Sequence, residues 1–288
     1  MTQLHETLQD AVRMGFLHSS RARGRIPNSL RAAAEVRYLG HSGGGNEATS
    51  LHFEVPSLGS VAAELFEQQL LWEDGPKPEE TAFELFAASV NDVRQRRTES
   101  NRFDPPLLRR ISGYRRMLER GLERISMPDT ALAEHGEIDM TTVNTATELS
   151  AATPRARRVR VAGRLDLMGK SQSVLKLHLP GNVVVTALWE GAQPVELLRD
   201  FFNREVVIEG TGVFRPSGSL LRIDADAIAA AGTHDDFFRT VPKAAVERDY
   251  HKLSRLRPGE PSVYARILGS IPAEESDEEF AAAIEELS

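Results

Sequence analysis

The chain has 288 residues, 41% of them hydrophobic and 27% charged, which is enough apolar content to bury a core in one or two domains. It contains no cysteine, so disulfides, thiolate catalysis and cysteine-ligated zinc are excluded. Forty-two acidic residues against 35 basic ones give a formal net charge of -7, opposite in sign to the usual surface of a nucleic-acid module.

The N-terminal stretch Met1–Phe16 carries His5, Glu6, Asp10 and Arg13 among its apolar residues and lacks the layout of a signal peptide. No run approaches the roughly 20 apolar residues that cross a bilayer, so a cytoplasmic protein is expected. Leu4, Leu8, Val12 and Phe16 recur every four residues and predict a first helix. Asn28 is placed to cap a second, through Ala34. Val36–Leu39 and Ser50–Val55 read as two strands joined by a glycine-rich tip, His41 to Asn46. A third helix is predicted from Leu58 to Trp72 and a fourth from Thr81 to Arg97, with Phe83, Phe86, Val90 and Val93 inward. Asp104 followed by Pro105 and Pro106 marks the start of a fifth, where a missing N–H costs little. Its apolar stripe, Leu107, Ile111, Tyr114, Leu118, Leu122 and Ile125, leaves Arg109, Arg110, Arg116, Arg120 and Arg124 off the core side. Residues 126–154 lose this periodicity and read as a linker holding at most one short helix.

From Arg157 the period becomes two. Val159, Val161, Leu165 and Leu167 oppose Arg158, Arg160, Arg164 and Asp166, which predicts a half-buried strand. Gly169-Lys170-Ser171 is a turn, and Val174–Leu179 alternates cleanly as a second strand. Pro180-Gly181-Asn182 reverses the chain into a third strand, Val183–Trp189. A helix follows from Pro194, then strands Glu205–Phe214 and Leu220–Ala225. This β-β-β-α-β-β order over 157–225 resembles the OB fold, with Gly163, Gly210 and Gly212 where a small barrel bends its strands. An SH3-like barrel or a split sheet fits the same order. The predicted fold class is α+β: a mostly helical domain with a small hairpin (1–125), a linker (126–154), a five-stranded OB-like barrel (155–231) and a helical extension with an acidic tail (232–288).

No catalytic constellation emerges, and no cofactor is expected. The loop Gly40–Asn46 lacks the Lys-Ser/Thr pair and following helix of a phosphate loop. His234-Asp235 lacks the further ligands of a metal site, and Asp224-x-Asp226 lacks a third carboxylate. Neither a Gly-x-Ser-x-Gly elbow nor a His-Glu-x-x-His pair occurs. Because OB folds bind single strands with a basic groove and stacking aromatics, Arg158, Arg160, Arg164, Lys170 and Lys176 are candidate DNA or RNA contacts, with Trp189 as the stacking platform. The same residues also describe a solvated strand face beside a core tryptophan.

The tail carries the second pattern. Tyr264, Ile267 and Ile271 form an apolar patch that Pro272 ends. Ser276 with Glu279 reads as a capping box, and Phe280, Ile284 and Leu287 share one face of the short acidic helix that follows. Such a helix is too short to stand alone in water, so its stripe needs a surface, either this protein's own body or a partner. The stretch Gly269–Glu279 resembles the C-terminal segment of bacterial antitoxins paired with PIN-domain ribonuclease toxins, with Ile271 where tryptophan is usual and Ala273 where glycine is usual. The resemblance implies a non-enzymatic, antitoxin-like or regulatory protein. Its partner, a PIN-domain toxin, would be bound through Tyr264, Ile267, Ile271, Glu278, Phe280, Ile284 and Leu287. The alternative is a single-strand-binding OB protein of repair or phage defence.

Overall fold

In the computed structural model, residues 2–21, 27–45, 48–66, 75–127, 136–167, 174–191 and 195–244 are described. Helix α1 (Thr2–Leu17) buries Leu8, Val12 and Phe16, the stripe the spacing predicts. A short α2 (Asn28–Ala33) precedes an antiparallel hairpin of β1 (Arg37–Ser42) and β2 (Ser50–Glu54). Of the third predicted helix, two single turns are described, α3 (Leu58–Val61) and α4 (Ala63–Phe66); its predicted end at Trp72 lies outside the described residues. Helix α5 (Ala82–Arg94) starts in a capping box, where Glu84 N–H donates to Thr81 Oγ1 and Thr81 N–H to Glu84 Oε2 at 2.6 Å.

The fifth helix is tighter and shorter than its periodicity suggests. α6 (Pro105–Ser112) is capped by Asp104, whose Oδ1 accepts from Leu107 N–H at 3.1 Å. At Gly113 and Tyr114 the hydrogen bonds shorten to three-residue spacing before a last turn, α7 (Arg115–Leu118). Leu107, Ile111, Tyr114 and Leu118 are buried, but Leu122 is exposed and Ile125 belongs to a strand.

The stretch read as a linker is structured wherever it is described. β3 (Ile125–Met127) pairs antiparallel with β4 (Gly136–Ile138), which leads into the thirteen-residue α8 (Met140–Ala152). Asp139 caps α8 by accepting from Thr142 N–H at 2.7 Å. α8 is the short helix that reading allowed, longer than expected, and its small and short-branched side chains give it no clear apolar stripe. Thr142, Val143, Thr145, Ala146 and Leu149 are all buried, so α8 is covered on more than one side and carries weak amphipathicity.

β5 (Arg157–Leu167), β6 (Val174–Leu179), β7 (Val183–Trp189), β8 (Glu205–Phe214) and β9 (Leu220–Ala230) close a five-stranded barrel in the order β5-β6-β7-β9-β8. β7 and β9 run parallel; the other neighbours are antiparallel. A 3-10 helix, Val195–Phe201, lies between β7 and β8, and its Leu198 is fully buried in the barrel core. The order is compatible with an OB-like barrel. The eleven-residue β5 closes it by pairing with β8 along Arg157–Arg164 and with β6 along Arg164–Leu167. At Gly210 the β8–β9 register shifts by a bulge, and a side chain there would strike the Asp224 carbonyl. β9 runs five residues beyond its predicted end.

Helical part and barrel share a core. Val174, Leu188, Val213 and Leu221, on the barrel's outward strand faces, join the apolar cluster built by α1, α5, α6 and α8. A polar bridge sits beside them. Arg222 of β9, on the parity opposite the barrel-core residue Ile223, is buried. It donates to the His18 carbonyl at 2.8 Å, to Asp224 at 2.7 Å and to Asp104 at 3.4 Å, while Asp104 also accepts from Ser20 N–H and Ser20 Oγ. Residues 1–246 cluster as one unit. The second unit, 247–288, lies outside the described residues together with the predicted partner-binding tail. No helix among the described residues is long and apolar enough to cross a membrane.

Two outcomes follow for unfolding. Asp104→Ala leaves a buried guanidinium with one of its two carboxylates, strands both Ser20 donors and removes a cap. It is expected to cost about 3–5 kcal/mol by urea denaturation, against about 1 kcal/mol or less for Asp226→Ala at an exposed pair. The second concerns pH. Burial alone would raise the Asp139 carboxyl, but the Thr142 N–H and hydroxyl, with Arg94 nearby, outweigh it and hold it below the usual range. A carboxyl depressed on folding stabilises above its unfolded value of about 3.9 and loses that contribution as pH falls through the folded value. Asp139→Ala is therefore expected to cost about 1 kcal/mol at neutral pH, with the gap to the parent chain narrowing in acid below about pH 4.

Candidate functional site

The barrel separates the residues proposed for nucleic-acid contact into two places. Arg158 and Arg160 lie on β5 opposite β8. Arg158 is held bidentate by Asp226, with one bond at 2.7 Å, and stands 3.9 Å from Glu209; Arg160 pairs with Glu209. The Arg158 guanidinium keeps the Asp226 carboxyl below the usual carboxylate range. Two acids on β8 and β9 thus meet Arg158 and Arg160. Arg164 is exposed where β5 crosses to β6, and Lys170 lies outside the described residues.

Lys176 is elsewhere, on the outer face of β6 and β7. The register sets Lys176 opposite Thr186 and His178 opposite Val184, and all four share one parity. Trp189 has the other parity. Its ring packs half-buried against the barrel core and over Gly191, where any side chain would collide with it. The proposed stacking platform therefore belongs to the wall beneath the strands, and no sequence spacing could distinguish the two parities at a strand end.

A cleft of about 430 Å³ opens along the β6–β7 face. Lys176, Val184 and Thr186 line its barrel side, and Phe16, His18, Glu99 and Asn101 its helical side. The turn between β8 and β9 closes one end. Arg215 in that turn donates to Asn101 Oδ1 and to the Leu220 carbonyl, and Ser219 Oγ donates to Glu99 at 2.6 Å. Burial would raise the Glu99 carboxyl, but the Ser219 and Ser217 hydroxyls and Arg215 bring it below its ordinary value. Both cation and acid in this wall are thus engaged within the chain. The apolar remainder is accessible, with Val183 and Val184 each 42% exposed.

Sequence reading missed one aromatic feature. The 3-10 turn Asp235–Phe238 sets Phe238 under the Arg160 guanidinium at 5.0 Å, and Phe237 meets Phe238 edge-on at 5.6 Å. Phe237 is 84% exposed. The signal was present as adjacent phenylalanines after an acidic pair, but only the fold brings them to β5. His234 and Asp235, weighed as a metal dipeptide, form this turn, with Asp235 accepting from Gly232 N–H at 2.7 Å. Among the described residues, no group of three or more His, Asp or Glu is arranged to hold a metal.

No protein-family model, curated protein or solved structure matches the chain.

If the two acids are what keep the β5 face from phosphates, the double variant Glu209→Gln, Asp226→Asn should bind a fluorescent oligothymidine at low salt more tightly than the parent chain. Its salt slope should steepen by about 1.4, the value for two freed phosphate contacts on a single strand. Anisotropy titrations at several salt concentrations measure both.

Proposed function

We propose that this chain is a non-enzymatic regulatory or antitoxin-like protein. In this reading an OB-type barrel takes an extended segment of a partner protein along the outer face of β6 and β7, and the acidic tail supplies a second contact. The observation that carries the reading is the character of the cleft. Its exposed wall is largely apolar and hydroxyl-bearing around Val183, Val184 and Thr186, with Lys176 as the cation beside them, while Arg215 and Glu99 are bound internally. Phosphate recognition draws on free cations and stacking rings. On the described strand faces Arg158 and Arg160 are paired with acids, and Trp189 faces the core. An extended protein segment draws on apolar pockets, which Val183 and Val184 supply here.

The tail's role rests on its sequence pattern and its resemblance to antitoxin C-termini, which names a PIN-domain ribonuclease as the partner class. The strand order favours a second reading, a single-stranded nucleic acid laid across the same β6–β7 face, as in OB proteins generally.

Four proteins separate these readings: for partner retention the full chain, a chain ending at Pro258 and full-length Val184→Asp, and for oligonucleotide binding full-length Lys176→Glu. Immobilised full chain is expected to retain a purified PIN-domain protein encoded beside it, with loss on truncation and weakening by Val184→Asp. Equal retention by all three would sink the reading. Oligonucleotide binding that fades steeply with salt and is abolished by Lys176→Glu would establish the nucleic-acid reading instead.

A further inference from the structure

The β1–β2 hairpin has no counterpart in the proposed function, and among the described residues it is incompletely covered. Every residue of both strands is exposed except Gly40 and Phe53, which are half-buried. Tyr38, Leu39 and Leu51 are 46%, 59% and 53% exposed. Inward support comes through Phe53, which stacks between Tyr38 and Phe83 at 5.7 and 5.6 Å. An isolated two-stranded sheet is marginal in water, and an uncapped apolar edge is a template for another strand.

The two edges differ. β1 carries a bulge at Leu39, between the pairs Tyr38–Phe53 and Gly40–His52, which disrupts regular pairing on that side. β2 runs Ser50-Leu51-His52-Phe53 with neither lysine, proline nor bulge to blunt it. We infer that β2 pairs antiparallel with β2 of a second copy of this chain about a two-fold axis at His52, forming a continuous four-stranded sheet.

Two properties favour a second copy over another partner. The edge is self-complementary: an axis at His52 sets Leu51 against Phe53 of the other copy and Ser50 against Glu54, so no like charges oppose each other. The hairpin strands are also locally neutral, since their only charged residues, Arg37 and Glu54, face each other at 3.4 Å. Whole chains of net charge -7 repel at long range, and a neutral arm is where two of them can approach. Five residues per edge make a small interface, so the dimer is a weak, micromolar one.

The axis supplies its own test, because residue 52 meets itself. Sedimentation velocity on the full chain, from low to high micromolar, should show reversible dimerisation. His52→Lys and His52→Glu each place like charges directly opposite and should each lower the association constant about fivefold. An equimolar mixture of the two should recover parent-like association through Lys–Glu pairs. Circular dichroism of each variant checks that the fold is kept, and Ser50→Glu, which opposes Glu54 of the other copy, serves as a second edge probe, losing association if the pairing is correct. A monomeric parent chain across the range, dimers unmoved by both substitutions at 52, or no recovery in the mixture would each overturn the inference. A monomeric chain whose β2 takes up a strand from another protein is one such overturning outcome.

Discussion

The contact between Asp104 and Arg222 fixes the relation of the two halves of the described chain. Asp104 is at once the cap of α6, the acceptor for Ser20 and the counter-charge to a guanidinium on the barrel's last strand. All of this occurs out of solvent. Burying an ion pair is expensive, and its attraction repays that cost only when the remaining donors are also satisfied. Here Nη1 of Arg222 is shared between Asp104 and the His18 carbonyl, and Nε reaches Asp224. The network is directional, unlike the apolar cluster around it, and it accepts one placement of α6 on β9.

Much of the fold could be read from local pattern. The α1 stripe, the Thr81 and Asp104 caps, and the five barrel strands with one helix between the third and fourth are each written within a few residues. What escaped was whatever depends on a partner far away in sequence. α8 shows little stripe because several neighbours cover it. Arg222 looked like a solvent-facing strand residue because its acid lies 118 positions earlier. Leu221 and Leu188, similarly, are apolar on the barrel's outside because helices lie over them.

The candidate site was legible only in part, and for the same reason. Composition pointed to a basic strand face, and Arg158 and Arg160 do lie on one. Their charges are spent on Glu209 and Asp226, which belong to other strands and cannot be matched to them without the register. Lys176 sits further round the barrel's outer surface, on β6, in a cleft one side of which is not barrel at all. A binding surface assembled between a sheet and a separate set of helices has no linear signature.

The shared core also bears on how such a chain can change over generations. A closed barrel with solvent on its outside can be copied, moved and fused as a cassette, since its strands keep their own interior. This one has Val174, Leu188, Val213 and Leu221 facing outward into the helices. Excised alone, it would carry an apolar scar where the helices had been; the helices alone would lose part of their floor. Helical part and barrel are thus inherited as a pair, and substitutions along the seam must be matched on both sides of it. The loops at the barrel's free rim carry no such obligation and are where variation can accumulate.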